Sequence, residues 1–148
     1  MIRQLFILTL TVGFSTAAIG TCEKGSKTVF SCLAAKGKLI QVCDSGKTID
    51  YSFGKLNSTP EIVVRAARSE ASTFQWPGVG RYISYSVEVP NGNTTYSVFW
   101  GAERSNNASI EAGVHVEINK KHVATVKCIG EEEHIVQNIE GIDLKPIE

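Results

Sequence analysis

Three histidines are the first residues of this sequence that could do acid–base or metal chemistry. His115 shares alternate positions with Glu111 and Glu117, so an extended strand would place the three side chains on one face. The polar outer face of a half-buried strand carries the same residue types. His122 follows in a predicted turn, and His134 stands beside three glutamates. The simpler interpretation is that all three are surface residues, and we expect no metal and no cofactor.

Nucleophilic catalysis has no recognisable motif in this chain. Serine is plentiful, but no serine lies in a Gly-x-Ser-x-Gly turn that would present it as a nucleophile. A glycosidase needs two carboxylates across a cleft. None of the 15 acidic residues forms a pair that the sequence singles out. We therefore expect a protein that acts by binding and is not an enzyme.

The segment WPGVGRY, residues 76–82, concentrates residue types that dominate protein–protein interfaces. Trp76 and Tyr82 offer large rigid surfaces, and Arg81 offers a planar head with several hydrogen-bond donors. Arg104 lies in a second polar loop, which the strand pattern places at the same end of the sheet. Together these four residues form a candidate binding edge. The alternative is that Trp76 fills the bottom of the core while Arg81 is a solvated charge.

A hairpin is predicted directly after this segment. Two alternating runs flank Asn91-Gly92, the dipeptide typical of a type I′ turn. Centring the turn there pairs Tyr85 with Val98 and places most apolar side chains on one face. Small and acidic residues dominate the other face, with two aromatic exceptions, Tyr82 and Phe99.

Short alternating runs separated by turn signals recur along the chain after residue 20. Residues 60–68 begin with a plausible helix start, but the β-branched Ile62-Val63-Val64 favours a strand. About eight strands and no convincing helix emerge. The sequence therefore predicts an all-β, single-domain antiparallel β-sandwich or small barrel. We expect the tail, residues 141–148, to be loosely held.

The first 20 residues have the pattern of a cleavable signal peptide. Arg3 precedes an apolar run over residues 5–14, and small residues follow. This run is too short for a membrane span, which needs about 20 apolar residues, and no later segment comes close. We therefore expect residues 1–20 to be removed and residues 21–148 to form one domain in the periplasm or outside the cell.

The charge balance limits the choice of partner. The chain has 15 basic and 15 acidic residues. Nucleic-acid binding requires a basic field, which such a balance does not provide. We expect another protein as the partner, no nucleic acid and no membrane span; the sequence leaves the oligomeric state open.

All four cysteines lie after residue 20, and an even number in an exported protein indicates two disulfides. A two-residue turn at positions 37–38 would place Cys32 directly opposite Cys43. That pairing leaves Cys22 to bond with Cys128. Cys22 could instead be acylated as in a bacterial lipoprotein, but that motif places Gly or Ala before the cysteine, where this chain has Thr.

Four short segments resemble a group of small exported proteins of Gram-negative bacteria that contain disulfides and are mostly uncharacterised. The segments are CEK at 22–24, VFSC at 29–32, VCD at 42–44 and YSFG at 51–54.

More loosely, a disulfide-linked β domain of this size is similar to the periplasmic lysozyme inhibitors. In those families a short loop with small residues, a basic residue and a tyrosine enters the lysozyme cleft. Gly80-Arg81-Tyr82 is similar to that loop, although the Ser-Gly-rich motif of the inhibitors is missing. The resemblance implies an inhibitor of a cell-wall hydrolase, with Arg81 in the acidic cleft and Tyr82 or Trp76 beside it.

Two other functions remain open at this point. One is a periplasmic immunity protein against a delivered toxin, which would also be a protein-binding module. The other is a small-ligand-binding or structural protein of the envelope that uses a barrel interior. The identity of the partner, a toxin or a cell-wall hydrolase, distinguishes an immunity protein from an inhibitor. The presence or absence of a closed barrel interior tests the ligand-binding or structural function.

Overall fold

The structure is a computed structural model and describes residues 21–148; the expected signal peptide, residues 1–20, lies outside the described residues. Eleven strands and two single turns of 3₁₀ helix form the described part. Among these residues no helix is long and apolar enough to cross a bilayer. The strands are β1 (Lys27–Ala34), β2 (Lys38–Asp44), β3 (Thr48–Lys55), β4 (Ile62–Ala67), β5 (Ser72–Gln75), β6 (Tyr82–Asn91), β7 (Thr94–Glu103), β8 (Ile110–Ile118), β9 (Lys121–Lys127), β10 (Val136–Gln137) and β11 (Lys145–Pro146).

Two sheets face each other across one core. The first sheet has the order β10-β1-β2-β3-β4, and the second has the order β11-β5-β6-β7-β8-β9. All neighbouring strands are antiparallel except β11, which runs parallel to β5. The predicted all-β antiparallel sandwich is confirmed, including a strand at β4, and the described sheets do not close into a barrel.

The core is built by the period-two alternation of both sheets. Phe30 and Tyr51 of the first sheet and Val87 and Val98 of the second are almost fully buried. The Tyr51 ring stacks on the Tyr96 ring of the opposite sheet, with 4.5 Å between the ring centroids. Because β-branched and aromatic side chains pack well on pleated surfaces, alternating sequences of this kind favour two packed sheets.

The long hairpin of β6 and β7 has the predicted faces but a different register. Tyr85 lies opposite Trp100, two positions beyond the predicted partner Val98. The connecting loop is Gly92-Asn93, and Gly92 has a φ of 61°. The turn thus needs a positive φ at its first position, which glycine adopts without strain. Since the shift is even, every side chain keeps its predicted face.

All four cysteines form disulfides, but the predicted pairing is wrong. The bonds are Cys22–Cys43 and Cys32–Cys128. The sulfur of Cys22 is therefore bonded to the sulfur of Cys43.

The reason for the different pairing is the connection between β1 and β2. It takes three residues, Ala35–Gly37, instead of the predicted two, so Cys32 lies opposite Ile40. An odd shift in register moves side chains to opposite faces of the sheet. Cys32 is buried in the core, whereas Cys43 alternates with the buried Val42 and faces outward. The two sulfurs therefore lie on different sides of the sheet.

The tail makes specific contacts with the rest of the fold. Lys145–Pro146 pair with β5, and the side chains of Ile142 and Leu144 pack against the core. The Gln75 amide also donates a hydrogen bond to the Ile139 carbonyl at 2.9 Å and accepts one from the Gly141 amide at 2.9 Å. These contacts connect the tail to β5 and to the core, and the mobility expected for residues 141–148 stays a prediction.

The two disulfides should differ in their contribution to stability. Cys32–Cys128 closes a sequence separation of 96 residues, and Cys22–Cys43 closes one of 21 residues. Chain-entropy arguments give about 4.7 kcal/mol for the longer loop and about 3.3 kcal/mol for the shorter. Equilibrium denaturation of C32A/C128A and C22A/C43A, each against wild type, should show the larger loss in C32A/C128A. A larger loss in C22A/C43A would contradict this ranking.

Candidate functional site

Two loops at one end of the second sheet form a continuous surface, which we call the recognition edge. It consists of residues 76–82, which end at the first residue of β6, and residues 103–107, which begin at the last residue of β7. The backbone amide of Arg104 donates a hydrogen bond to the carbonyl of Arg81 at 2.6 Å. The two loops thus lie side by side, as the hairpin pattern predicts.

Trp76 is the internal support of this edge. It is half-buried and packs against the core, and its indole N–H donates to the Val79 carbonyl at 3.0 Å. The Arg104 guanidinium lies 5.5 Å from the centroid of the indole ring, within the range of a cation–π contact. Trp76 therefore closes its own loop against the core and also supports the second loop; its role as a binding contact stays a prediction.

The tip of the edge is open to solvent. Val79 is 78% exposed, and Arg81 is also exposed. Gly78 and Gly80 flank Val79 with φ values of 83° and 95°. Residues with side chains rarely adopt these angles, so the two glycines fix a loop shape that presents Val79 and Arg81 outward.

Tyr82 lies across the outer face of the sheet. It is 44% exposed, and its hydroxyl donates a hydrogen bond to a carboxylate oxygen of Glu111 at 3.2 Å. Partial burial, then the hydrogen bond and the negative charges of Glu111 and Glu103, raise the pKa of Tyr82 above its ordinary value. Gly101 makes this position possible, because a β-carbon there would collide with the Tyr82 ring. The sequence prediction did not include Glu111 in this contact or identify the role of Gly101.

His115 shares the outer face of β8 with Glu111 and Glu117, as the sequence predicts, but its direct contacts are with other residues. His122 lies in β9 and not in the predicted turn. The His115 Nδ1 lies 2.8 Å from the Thr125 hydroxyl, and the His122 Nε2 lies 2.7 Å from the same hydroxyl. The His115 ring also stacks on Phe99 with 4.2 Å between centroids. Its neighbours are thus an aromatic ring and a second imidazole, while Glu111 bonds to Tyr82. Within residues 21–148, no three His, Cys, Asp or Glu side chains cluster so as to hold a metal ion.

A cavity of about 630 Å³ lies away from the recognition edge, where the C-terminal segment meets the first sheet. Its wall includes an ion pair of Arg68 with Asp44. Arg68 also donates to the Asp143 carbonyl at 2.8 Å. Burial alone would raise the pKa of Asp44. The hydrogen bonds to its carboxylate and the positive charge nearby, both mainly from Arg68, outweigh burial and hold the pKa of Asp44 below its ordinary value. These contacts attach the tail to the first sheet, which is a structural role.

Comparison with family models, with curated proteins and with solved structures gave no match to this chain. The resemblance to exported inhibitors therefore stays a hypothesis. Function has to be argued from the recognition edge and from the rest of the surface.

The half-buried imidazole of His115 predicts a pH dependence of stability. Burial, and then the nearby His122, lower the pKa of His115 below its ordinary value of 6.5. The unfolded chain then binds this proton at a higher pH than the folded chain, so the free energy of unfolding falls as the pH drops below about 6.5. The melting temperature should fall more steeply between about pH 7 and pH 5 in wild type than in His115→Asn. Thermal unfolding followed by circular dichroism measures this, with His134→Asn as the control. Equal slopes for wild type and His115→Asn would contradict the argument.

Proposed function

We propose that this protein is an exported protein-binding module that inhibits a lysozyme-type cell-wall hydrolase through its recognition edge. One observation carries the proposal: Arg81 and Val79 project from a loop that internal contacts hold in shape. Tyr82 continues the same surface along the sheet. The proposed location is the periplasm, with which the two disulfides are compatible.

The contacts inside the edge support tight binding. Association costs free energy when loops and side chains must be ordered, and a loop already held in its bound shape avoids part of that cost. Here the Trp76 hydrogen bond to Val79 and the contact of Arg104 with the indole restrict both loops. Trp, Tyr and Arg are also the residue types that dominate measured binding energies. The edge combines these residue types with a restrained backbone.

The chemistry of the proposed partner suits an exposed arginine. Glycoside hydrolases cleave between two carboxylic acid side chains on either side of a cleft. An arginine that enters such a cleft can form charge-assisted, bidentate hydrogen bonds with a carboxylate. Because Arg81 stands at the tip of the edge, its side chain could enter the cleft of the hydrolase. It would then block the cleft and pair with a catalytic carboxylate. Tyr82 would pack at the rim.

The immunity function uses the same surface and differs only in the partner. A toxin delivered to the periplasm would meet the same arginine and tyrosine. The two functions are therefore separated by which enzyme the edge blocks.

The first experiment is an inhibition assay with lysozymes of each class. We expect inhibition by the mature chain, residues 21–148, and a loss of about tenfold or more in Arg81→Ala. Arg65→Ala is a matched control, because the Arg65 side chain is 61% exposed and lies on the first sheet. Failure to inhibit any lysozyme class, or equal losses in the two arginine variants, would overturn the proposal. Inhibition of a peptidase, nuclease or other toxin instead would favour the immunity function.

A further inference from the structure

The outer face of the second sheet contains a groove of about 370 Å³ next to the recognition edge. This outer groove lies within the size range of about 300–1,000 Å³ that is typical of ligand pockets. Five consecutive strands of the sheet contribute side chains to its walls. These side chains include Phe74 of β5, Ser86 of β6, Phe99 of β7, His115 of β8 and Lys127 of β9.

Aromatic rings stand on both sides of a small residue in this groove. Ser86 lies opposite Phe74 on one neighbouring strand and opposite Phe99 on the other. Adjacent strands are about 4.8 Å apart, so the backbones of the two phenylalanines are about 10 Å apart with only a serine between them. Phe74 is 44% exposed. The His115 ring covers one face of Phe99 from the β8 side. The groove therefore offers apolar ring surfaces around a narrow space.

The floor and one end of the groove are polar. Hydroxyl groups of Ser84, Ser86 and Ser97 contribute to its lining. At one end the Tyr82 hydroxyl and the Glu111 carboxylate meet above Gly101. A serine hydroxyl both donates and accepts hydrogen bonds, and a carboxylate accepts several. Such a lining suits a ligand with many hydroxyl groups on a compact ring.

The charges on this face argue against an anionic ligand. Glu111 and Lys127 line the groove itself, and three more glutamates lie on the same face around it. The charged residues are Glu88, Glu103, Glu111, Glu117 and Lys127. A phosphorylated or carboxylated polymer would meet net repulsion there. A neutral ligand would not.

We propose that the outer groove binds a neutral saccharide chain. The C–H face of a sugar ring would pack on Phe74 and Phe99, and its hydroxyls would bond to the serines and to Glu111. An apolar ligand is a poorer fit, because it would strip water from the half-buried serine hydroxyls without replacing their hydrogen bonds. An extended peptide that adds a strand is also a poorer fit, because β5 to β8 each have a paired neighbour on both sides. Such a peptide would pair with the edge strand β9 and would not lie over Phe74 and Phe99.

This inference does not rest on the inhibitor proposal, although Tyr82 belongs to both surfaces. The phenylalanines and serines of the groove lie on strands, whereas Arg81 lies in the loop at the tip. Substitutions can therefore address each surface separately.

The test is calorimetric titration of the mature chain with neutral hexasaccharides of glucose and of N-acetylglucosamine. We expect one of these probes to bind, and Phe74→Ser to weaken that binding about five- to tenfold through the loss of one aromatic packing surface. Val63→Ser is the matched control, because Val63 is 53% exposed on the first sheet. Arg81→Ala should bind the saccharide as wild type does. This variant separates failure of the groove from failure of the inhibitor proposal.

Amide chemical shifts provide a second readout that does not depend on one substitution. Upon saccharide addition, the shifted amides should cluster on β5–β8. Absence of binding by both probes, equal binding by Phe74→Ser and Val63→Ser, or shifts confined to the first sheet would overturn the proposal. So would preferential binding of an anionic polysaccharide. Analytical ultracentrifugation of wild type and Phe74→Ser completes the test. A wild-type dimer that is lost in Phe74→Ser would show that a second copy of the chain covers the groove, and this result would also overturn the proposal.

Discussion

The Cys32–Cys128 bond is the constraint on which the two-sheet architecture depends. It links the core side of β1 to the residue that follows β9, and so joins the two sheets covalently. Backbone contacts reinforce the junction, because the Ile129 amide donates to the Leu33 carbonyl at 2.7 Å. Small sandwiches bury a limited apolar area, so a covalent link between sheets removes many of the open conformations of the unfolded chain. The packed core then fixes the angle at which both sheets present their outer faces.

The rigidity of the second sheet bears on both proposed surfaces. Its inner face is fixed by buried valines such as Val87 and Val98, so the outer face and the loops at its end keep a defined geometry. Tyr82 lies where the end of the sheet and the outer face meet, and its hydrogen bond to Glu111 ties β6 to β8 across the central β7. The two proposed binding surfaces thus depend on the same three strands.

The alternation of side chains was predictable from the sequence, but the contacts between distant strands were not. The faces of β6 and β7 follow from local periodicity and survive a two-residue shift in register. The pairing of Cys32 depends on the length of one turn, which the sequence did not specify. The strand Ser72–Gln75 was missed because it is short and mostly polar, and only its neighbours make it a strand. Phe99, an aromatic residue on a polar face, was a visible signal of the groove, whereas the role of Gly101 depends on where Tyr82 folds.

The short strand at the C terminus also bears on how the molecule behaves among its own copies. An unpaired sheet edge exposes N–H and C=O groups that can recruit a strand of another chain. Lys145–Pro146 cover such an edge along β5, and the Ile147 amide extends the cover with a hydrogen bond to the Thr73 carbonyl at 3.1 Å. A proline suits this outermost place, since it has no N–H to offer to a further strand. Residues 145–147 thus protect the β5 edge from pairing with a strand of another chain. A chain that loses these residues by proteolysis would expose this edge while it keeps its core.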